Sequence, residues 1–399
     1  MKGLEGIVIL DLTHMLSGPY GTMLLADMGA HTIKVEPPGT GEGTRKLQAD
    51  DPQHSLHGMG SYFLTLNRNK RSVCIDLKAP DGVALFYDLV KKADVVFDNF
   101  GVGVIKRLRI DHDILSRINP RIITCSVTGF GESGPEPGRP AYDQVVQGMG
   151  GGMSITGYPG GEPLRAGIPI GDLAGGMFGA MGVLEALVAR QTTGRGQHVD
   201  VSMLDCQISL LNYMATMYSL SGIDPGPLGN GHFVHVPYNS FRTRTQYIII
   251  AVIGDIFWQN LLEVIDDPEL RREKYLTQPG RYGEREFINA RIQEVLLSET
   301  ADYWLKALRA RRIPCAPVNR FSEALNDPQV RARNMVVRVR HPLGGDVEMP
   351  GNPVKLSDTF EDTYSAPPLL GQHTDDVLRN MLDLDGVRID ALRASGVIG

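Results

Sequence analysis

The strongest constraint on this chain is the alternation of short apolar runs with amphipathic stretches over its first 130 residues. Gly6 to Leu12 is a compact apolar strand. A turn at Ser17-Gly18-Pro19 leads into a helix over Thr22 to Met28, and Thr32 to Glu36 is a second strand. A strand, helix and strand joined this closely form a parallel β-α-β unit. The pattern recurs: Arg71 to Asp76 reads as a strand, Pro80 to Lys92 as an amphipathic helix, and Val95 to Asp98 and Ile122 to Val127 as further strands. Such alternation predicts an α/β fold, a doubly wound, Rossmann-like parallel sheet with helices on both faces.

Residues 129–171 are rich in Gly and Pro and read as loop, and the run from Gly148 to Met153 is too flexible for regular structure. A long helix should start just after Asp172 and reach about Arg190. Its face carries Gly175, Gly179 and Gly182, which would let another backbone approach closely. Gln197 to Met203 is a strand and 205–220 a helix. Pro225, Pro227, Gly229 and Gly231 mark a linker, followed by a strong strand at 246–253 and helical segments to about 328. We expect a large domain formed by 1–225 together with 331–399, and a smaller α+β domain over 226–330. Short strands follow residue 335, and a helix from Thr374 closes the chain.

Composition narrows the function classes. A chain of 399 residues, 42% hydrophobic and 22% charged, exceeds one simple core and predicts two domains. Its formal charge of −6 lacks the basic surplus of a nucleic-acid binder, so no nucleic-acid partner is expected. Cys74, Cys125, Cys206 and Cys315 form no CxxC pair, which argues against a zinc site or a disulfide framework and fits a reducing cytoplasm. The opening MKGLEGIVILDLTH reads as a strand rather than a signal peptide, and no unbroken apolar run suits a bilayer. The expectation is a soluble, cytoplasmic protein without a membrane partner.

Three chemistries compete for the site. Glu36 ends the second strand where a dinucleotide-binding fold places its ribose ligand. However, the turn Ser17-Gly18-Pro19-Tyr20-Gly21 lacks G-x-G-x-x-G, and its proline and tyrosine would block a pyrophosphate. His54/His57 and His232/His235 have HxxH spacing, but two ligands three apart are not a metal site, so no metal is expected. Cys206, in an apolar helix, reads as core packing. Asp172, in Gly171-Asp172-Leu173-Ala174-Gly175-Gly176, stands where the long helix starts. On sequence alone it reads first as an N-cap, and the same geometry suits a nucleophile kept ionised by the helix terminus with room for an acyl group among the glycines.

Several motifs in fixed order extend this. They are Asp11-Leu-Thr-His-Met-Leu-Ser-Gly-Pro19, Gly29-Ala-His-Thr-Ile-Lys-Val-Glu36, Asn67-Arg-Asn-Lys-Arg-Ser72, Ala93-Asp-Val-Val-Phe-Asp-Asn-Phe-Gly-Val-Gly103, Gly171-Asp172, Thr193-Gly-Arg-Gly-Gln-His-Val199 and Leu369-Leu-Gly-Gln-His-Thr374. Over essentially its whole length the chain resembles the family III CoA-transferases. The resemblance implies that Asp172 attacks an acyl-CoA thioester and forms a mixed anhydride, which needs neither ATP nor metal and no tightly bound cofactor. Coenzyme A and acyl-CoA enter as substrates, with a small carboxylic acid as the other partner, and the large domain holds the CoA. Two subunits interlocked like chain links, a homodimer, are also implied.

Other positions carry over individually from the resemblance. His14 and Ser17 match the loop that contacts the CoA chain. Ile75, Lys78, Asn99, Phe100, Val104, Arg107 and Leu108 match the wall around adenine and phosphates. Leu16, Leu47, Tyr62 and Tyr142 match positions of the acyl pocket. Read alone, Lys78 and Arg107 are also solvated surface charges, and the tyrosines are also core residues. Relatives that use formyl-CoA carry glutamine at Leu16, tryptophan at Leu47 and arginine at Pro37, and a glycine run where this chain has Pro227-Leu-Gly-Asn-Gly-His232. These departures argue against a formyl/oxalate pair and favour succinyl-CoA or a similar dicarboxyl-CoA. An α-methylacyl-CoA racemase would need histidine where Tyr142 stands, because a tyrosine is poorly suited to abstracting the Cα proton. A non-catalytic acyl-CoA-binding module is the third class.

Overall fold

The computed structural model describes residues 2–360 and 362–399. Six strands form one fully parallel sheet: β1 (Val8–Asp11), β2 (His31–Glu36), β3 (Lys70–Cys74), β4 (Val95–Asp98), β5 (Ile123–Thr128) and β6 (His198–Ser202), in the order β3-β2-β1-β4-β5-β6. This is the doubly wound order, and the winding reverses between β1 and β4. The strands are short and β-branched, and alternate residues feed opposite faces. In β1, Ile9 packs with Val95, Phe97 and Val127 on one side, while Leu10 packs with Ile33, Val73 and Phe86 on the other.

The first face is covered by α1 (Ser17–Asp27) and the long α5 (Ile170–Thr193). The second is covered by α2 (Pro80–Val90), α3 (His112–Ile118) and two C-terminal helices, α11 (Thr374–Leu382) and α12 (Gly386–Ala394). The helix α1 begins five residues before the expected Thr22, because Ser17-Gly18-Pro19 is its first turn rather than a preceding turn. Proline is tolerated there because the first helical N–H groups have no intrahelical acceptor. Of the glycines on α5, Gly179 and Gly182 face the side chains of Phe97, Val127 and Val199. The backbone approach is made by Gly176, where a Cβ would sit 2.4 Å from the carbonyl oxygen of Ser17. With 24 residues and a mean hydropathy of 1.4, α5 is long and apolar enough to cross a membrane, contrary to expectation. In this fold it is the central helix against the sheet.

The segment read as loop after β5 contains α4 (Asp143–Met149) and a short 3₁₀ turn at Gly152–Ile155, so the glycine run is partly regular. The helix expected over 205–220 is two, α6 (Met203–Leu211) and α7 (Tyr213–Ser221), divided at Asn212 by a positive φ of 49°. The chain forms two compact units. The first comprises the chain up to Met153, Arg165–Ile223 and Gln329–Gly399, and the second comprises Ser154–Leu164 and Asp224–Pro328. The second unit holds an antiparallel sheet, β7 (Tyr238–Arg242), β8 (Tyr247–Ala251) and β9 (Cys315–Pro317), ordered β9-β8-β7. Helices α8 (Asp255–Val264), α9 (Arg285–Leu296) and α10 (Ala301–Ala310) pack on it around Trp258 and Trp304.

The tail completes the first unit by pairing with its edge strand. Ser72 N–H donates to His373 Nδ1 (3.2 Å), Gly371 N–H to Ser72 Oγ (2.9 Å) and Cys74 N–H to Thr374 Oγ1 (3.1 Å). The Leu369–Thr374 motif is therefore an edge cover for β3.

Candidate active site

In a doubly wound sheet a crevice opens at the carboxyl ends of the strands where the winding reverses. Here the loops after β1 and β4 flank it, and one side chain ties them together. Asn99 Oδ1 accepts the His14 N–H (2.9 Å), and Asn99 Nδ2 donates to the His14 carbonyl (2.8 Å). A cavity of about 550 Å³ lies here, lined by His14, Leu16, Ser17, Tyr62, Asn99, Phe100, Tyr142, Asp143, Arg165 and Asp172 among others. A second cavity of about 640 Å³ shares His14, Met15 and Phe100 with it and continues past Ile75, Lys78, Val104 and Leu108. The His14 and Phe100 rings, 5.3 Å apart between centroids, stand where the two meet.

The loops rest on a buried polar scaffold supplied by two of the sequence motifs. Asp11 ends β1 fully buried and pairs with Lys70 Nζ at 2.9 Å and, more distantly, with Lys34 at 3.9 Å. Burial opposes its ionisation, but the two lysines and the Thr13 hydroxyl win and hold it at about 2. Lys34 Nζ donates to the Thr13 carbonyl (2.7 Å) and so anchors the loop before His14. Burial, and Lys34 nearby, lower the pKa of His14 and favour its neutral ring. Under β4, the enclosed Asp98 accepts from Ser126 Oγ (2.7 Å) and Phe100 N–H (3.1 Å), and burial pushes it up to about 7. Glu36, the ribose-position residue, is taken by Arg45 in a two-pronged pair at 2.6 and 2.7 Å.

Asp172 is not an N-cap. Its helix begins at Ile170, with Pro169 before it, and Asp172 lies within the first turn. The capping function falls to Asp143 of α4, whose Oδ1 accepts the N–H of Gly171 (2.8 Å) and, at longer range, of Asp172 (3.4 Å). The Asp172 carboxylate therefore receives no hydrogen bond from the described residues. The expectation that the helix terminus keeps it ionised is reversed: burial first, and the Asp143 charge second, raise it to about 7. It is a partly buried, unpaired carboxyl facing a cavity, as a nucleophile requires.

The matched residues sort between the two cavities. Leu16, Ser17, Asn99, Tyr62 and Tyr142 line the Asp172 cavity, with Tyr142 71% exposed at its rim. Ile75, Lys78, Val104 and Leu108 line the second, and His14 and Phe100 line both. Arg107 is exposed on the single-turn helix Val104–Arg107 and is not part of either wall. Leu47 is 39% exposed and is not among the residues lining the Asp172 cavity; its carbonyl packs against Gly60. Among the described residues no group of three metal-binding side chains occurs, and all four cysteines are free. His54 contacts Asp51, whereas His232 and His235 stack at 4.6 Å.

Sequence reasoning missed Asp143, Gln147 and Arg165. Asp143 follows Tyr142 directly, and the signal for Arg165 is an isolated cation in a Gly/Pro-rich segment seven residues before Asp172. Gln147 links them: its Nε2 donates to Asp143 Oδ2 (2.7 Å), and its Oε1 accepts the Ala166 N–H (2.9 Å).

Residues 4–374 match the model of CoA-transferase family III. The chain is 38% identical to the acetyl-CoA:oxalate CoA-transferase of Acetobacter aceti over 365 residues, covering 91% of each protein. It is 33% identical to the succinyl-CoA:glutarate CoA-transferase of Homo sapiens over 399 residues, all of this chain and 90% of that one. Its fold matches the crystal structure of a CAIB/BAIF family protein from Brucella suis with a TM-score of 0.85 and 33% identity, covering 95% and 99% of the two chains. The chain belongs to CoA-transferase family III.

Proposed function

We propose that this family III CoA-transferase moves coenzyme A between dicarboxylic acids, with Asp172 as the covalent nucleophile. The single observation that carries the reading is the unpaired Asp172 carboxyl facing a cavity that shares His14, Met15 and Phe100 with a second one large enough for a nucleotide. The ionised Asp172 attacks the thioester carbonyl. A carbon–oxygen bond forms, the carbon–sulfur bond breaks and CoA leaves as thiolate. The thiolate then attacks the Asp172 acyl carbon and expels the donor acid as carboxylate. The acceptor carboxylate displaces CoA from Asp172 to give a second anhydride, and the thiolate takes the new acyl group, freeing Asp172. Each intermediate keeps the activation of the thioester, so no other energy source enters.

The second cavity suits the nucleotide end of CoA. Ile75, Val104, Leu108 and Phe100 offer apolar surface to adenine, and exposed Lys78 stands at its edge for phosphate. The thiol end passes His14 and Phe100 toward Asp172. The two relatives described above are named for oxalate and glutarate, both dicarboxylic acids, which supports that acceptor class. Succinyl-CoA is the proposed donor, since Leu16 gives a more apolar wall than a formyl/oxalate site needs.

A homodimer and a cytoplasmic location belong to the same reading. Met181 and Val188 on α5, Leu220 in α7 and Ile223 just after it are 60–84% exposed, apolar surface suited to a second copy of the chain. Three buried free cysteines fit a reducing compartment. The deciding experiment is a mass-spectrometric screen of acyl-CoA donors against a panel of acids, alongside light scattering. Formyl-to-oxalate transfer with succinyl-CoA inert would overturn the substrate reading, and a monomer at micromolar concentration the dimer.

A further inference from the structure

Two arginines stand in the wall of the Asp172 cavity, and they are not equivalent. Arg139 has an acid partner that offsets its charge: its Nη1 pairs with Glu136 at 2.7 Å and its guanidinium lies over the Phe130 ring at 5.2 Å. Arg165 has no acid partner among the described residues. Its Nη1 donates to the Ala166 carbonyl (3.1 Å) and weakly to that of Gly167 (3.5 Å), which leaves Nε and Nη2 free. A guanidinium presents five donors in a planar fork matched to a carboxylate, so its Nε/Nη2 edge remains open for a two-pronged pair.

The position of Arg165 is referenced to the nucleophile by a continuous chain of hydrogen bonds. Ala166 N–H donates to Gln147 Oε1, Gln147 Nε2 to Asp143 Oδ2, and the N–H groups of Gly171 and Asp172 to Asp143 Oδ1. Gln147 is 3% exposed, so this relay is sheltered from competing water. The backbone beside Arg165 and the helix end that carries Asp172 are thereby held on one frame, and the exposed Arg165 side chain is fixed to it through the Ala166 carbonyl. Electrostatics points the same way. The cavity already contains the Asp172 and Asp143 carboxyls, so an incoming dianion is repelled unless a cation receives its far end. Neutral His14 does not supply that charge, and Lys78 serves the other cavity.

We infer that Arg165 is the specificity-determining residue for dicarboxylates, receiving the distal carboxylate of the acyl group while the proximal one reacts at Asp172. The inference rests on the CoA-transferase reading above and adds the group that selects its substrate. Because the cation is tied to the nucleophile's frame, the separation of the two carboxylates sets which chain length fits.

The test measures kcat and KM for acid pairs of equal length with succinyl-CoA as the common donor: oxalate and acetate, malonate and propionate, glutarate and pentanoate. Effects on the donor cancel within each pair. Wild type should favour the dicarboxylate of its best pair, and Arg165→Gln should collapse that ratio about 10- to 100-fold, as expected for losing a charge-assisted bond. The loss should fall mainly on the KM of the dicarboxylate, with Arg165→Lys recovering part of it. A wild type indifferent to the second carboxylate would overturn the inference. So would Arg165→Gln slowing both members of a pair alike, which marks a structural or CoA-binding residue. Failure of wild type to transfer CoA to any acid would instead remove the underlying reading.

Discussion

Asp143 Oδ1 lies 3.4 Å from the backbone nitrogen of Asp172 and 2.8 Å from that of Gly171, so one carboxylate caps the helix that carries the other. The arrangement separates two demands. Asp143 satisfies the open helix end, and its charge, added to burial, holds the Asp172 pKa near 7 instead of 3.8. A carboxylate with that pKa is a stronger base, and a stronger nucleophile toward a thioester, than an ordinary one.

The first prediction follows from that pair. The kcat/KM for acyl-CoA in wild type should rise with pH and reach half its plateau near pH 7, where Asp172 ionises. Asp143→Asn removes the second cause of the raised pKa, so the rise should move to lower pH. A pH profile of anhydride formation in a stopped-flow single turnover tests this. A limb that stays in place would show that Asp143 does not set the ionisation of Asp172.

Replacing the proposed nucleophile should separate activity from stability. Asp172→Asn should lose transfer by roughly 10³-fold or more, because an amide cannot form the anhydride. The folded pKa of about 7 lies above the ordinary 3.8, so the proton binds more tightly to the folded chain. That contribution to stability is complete below pH 3.8 and is lost as pH rises through 7. Asp172→Asn should therefore melt higher than wild type at pH 8, and the gain should vanish at pH 4. Near-normal turnover by a folded Asp172→Asn protein would sink the mechanism.

Packing between α1 and α5 yields a stability prediction. A Cβ on Gly176 would lie 2.4 Å from the Ser17 carbonyl oxygen and 3.0 Å from the Gly21 nitrogen, both backbone atoms that cannot rotate away. Gly176→Ala should cost about 1–3 kcal/mol or more and displace Ser17 from the cavity. Gly226→Ala, with nothing within 4 Å, is the control and should be neutral. Urea denaturation of both variants would decide.

The clamp at the crevice predicts a binding defect. Asn99→Ala leaves the His14 N–H and carbonyl without their 2.9 and 2.8 Å partners, costing about 1–3 kcal/mol locally. The His14 loop then loses its place between the two cavities. KM for acyl-CoA should rise about tenfold, a shift of order 1.4 kcal/mol, with a smaller change in kcat. A change confined to kcat would place Asn99 in chemistry instead of CoA binding.

The parallel sheet was legible because most of its strands are short runs rich in Val, Ile or Thr, set between amphipathic helical stretches. Glu36 and the Asn67–Ser72 motif could be recognised but not explained. Their work is long-range: Glu36 binds Arg45, Arg68 binds Asp27, and Lys70 reaches Asp11 across the sheet. The cap on Asp172 could not be read locally, since its partner is 29 residues earlier in a helix hidden within glycine-rich sequence. The segment containing α4 was read as loop for the same reason: Gly148, Gly150, Gly151 and Gly152 dominate its composition, yet Val146 is buried and holds one turn against the core. Leu47 could not be placed from its neighbours, because its acyl-pocket position came from resemblance and not from any contact written in them.

The last prediction follows an oxygen atom. An acceptor acid labelled with oxygen-18 forms an anhydride by joining one labelled oxygen to the Asp172 acyl carbon. When CoA thiolate attacks the acceptor's own carbonyl, the bond between that carbonyl and the bridging oxygen breaks, and the label stays on Asp172. Many turnovers should therefore enrich the peptide containing Asp172, read by mass spectrometry after digestion. A thioesterase would draw its oxygen from water, and a racemase would exchange only a proton at Cα, leaving this side chain unlabelled. The experiment discriminates because only a carboxylate that itself becomes acylated can retain a substrate oxygen. Confirmed CoA transfer with an unlabelled Asp172 would mean that the acyl group travels by another route, and the raised pKa of this carboxyl would then need a different explanation.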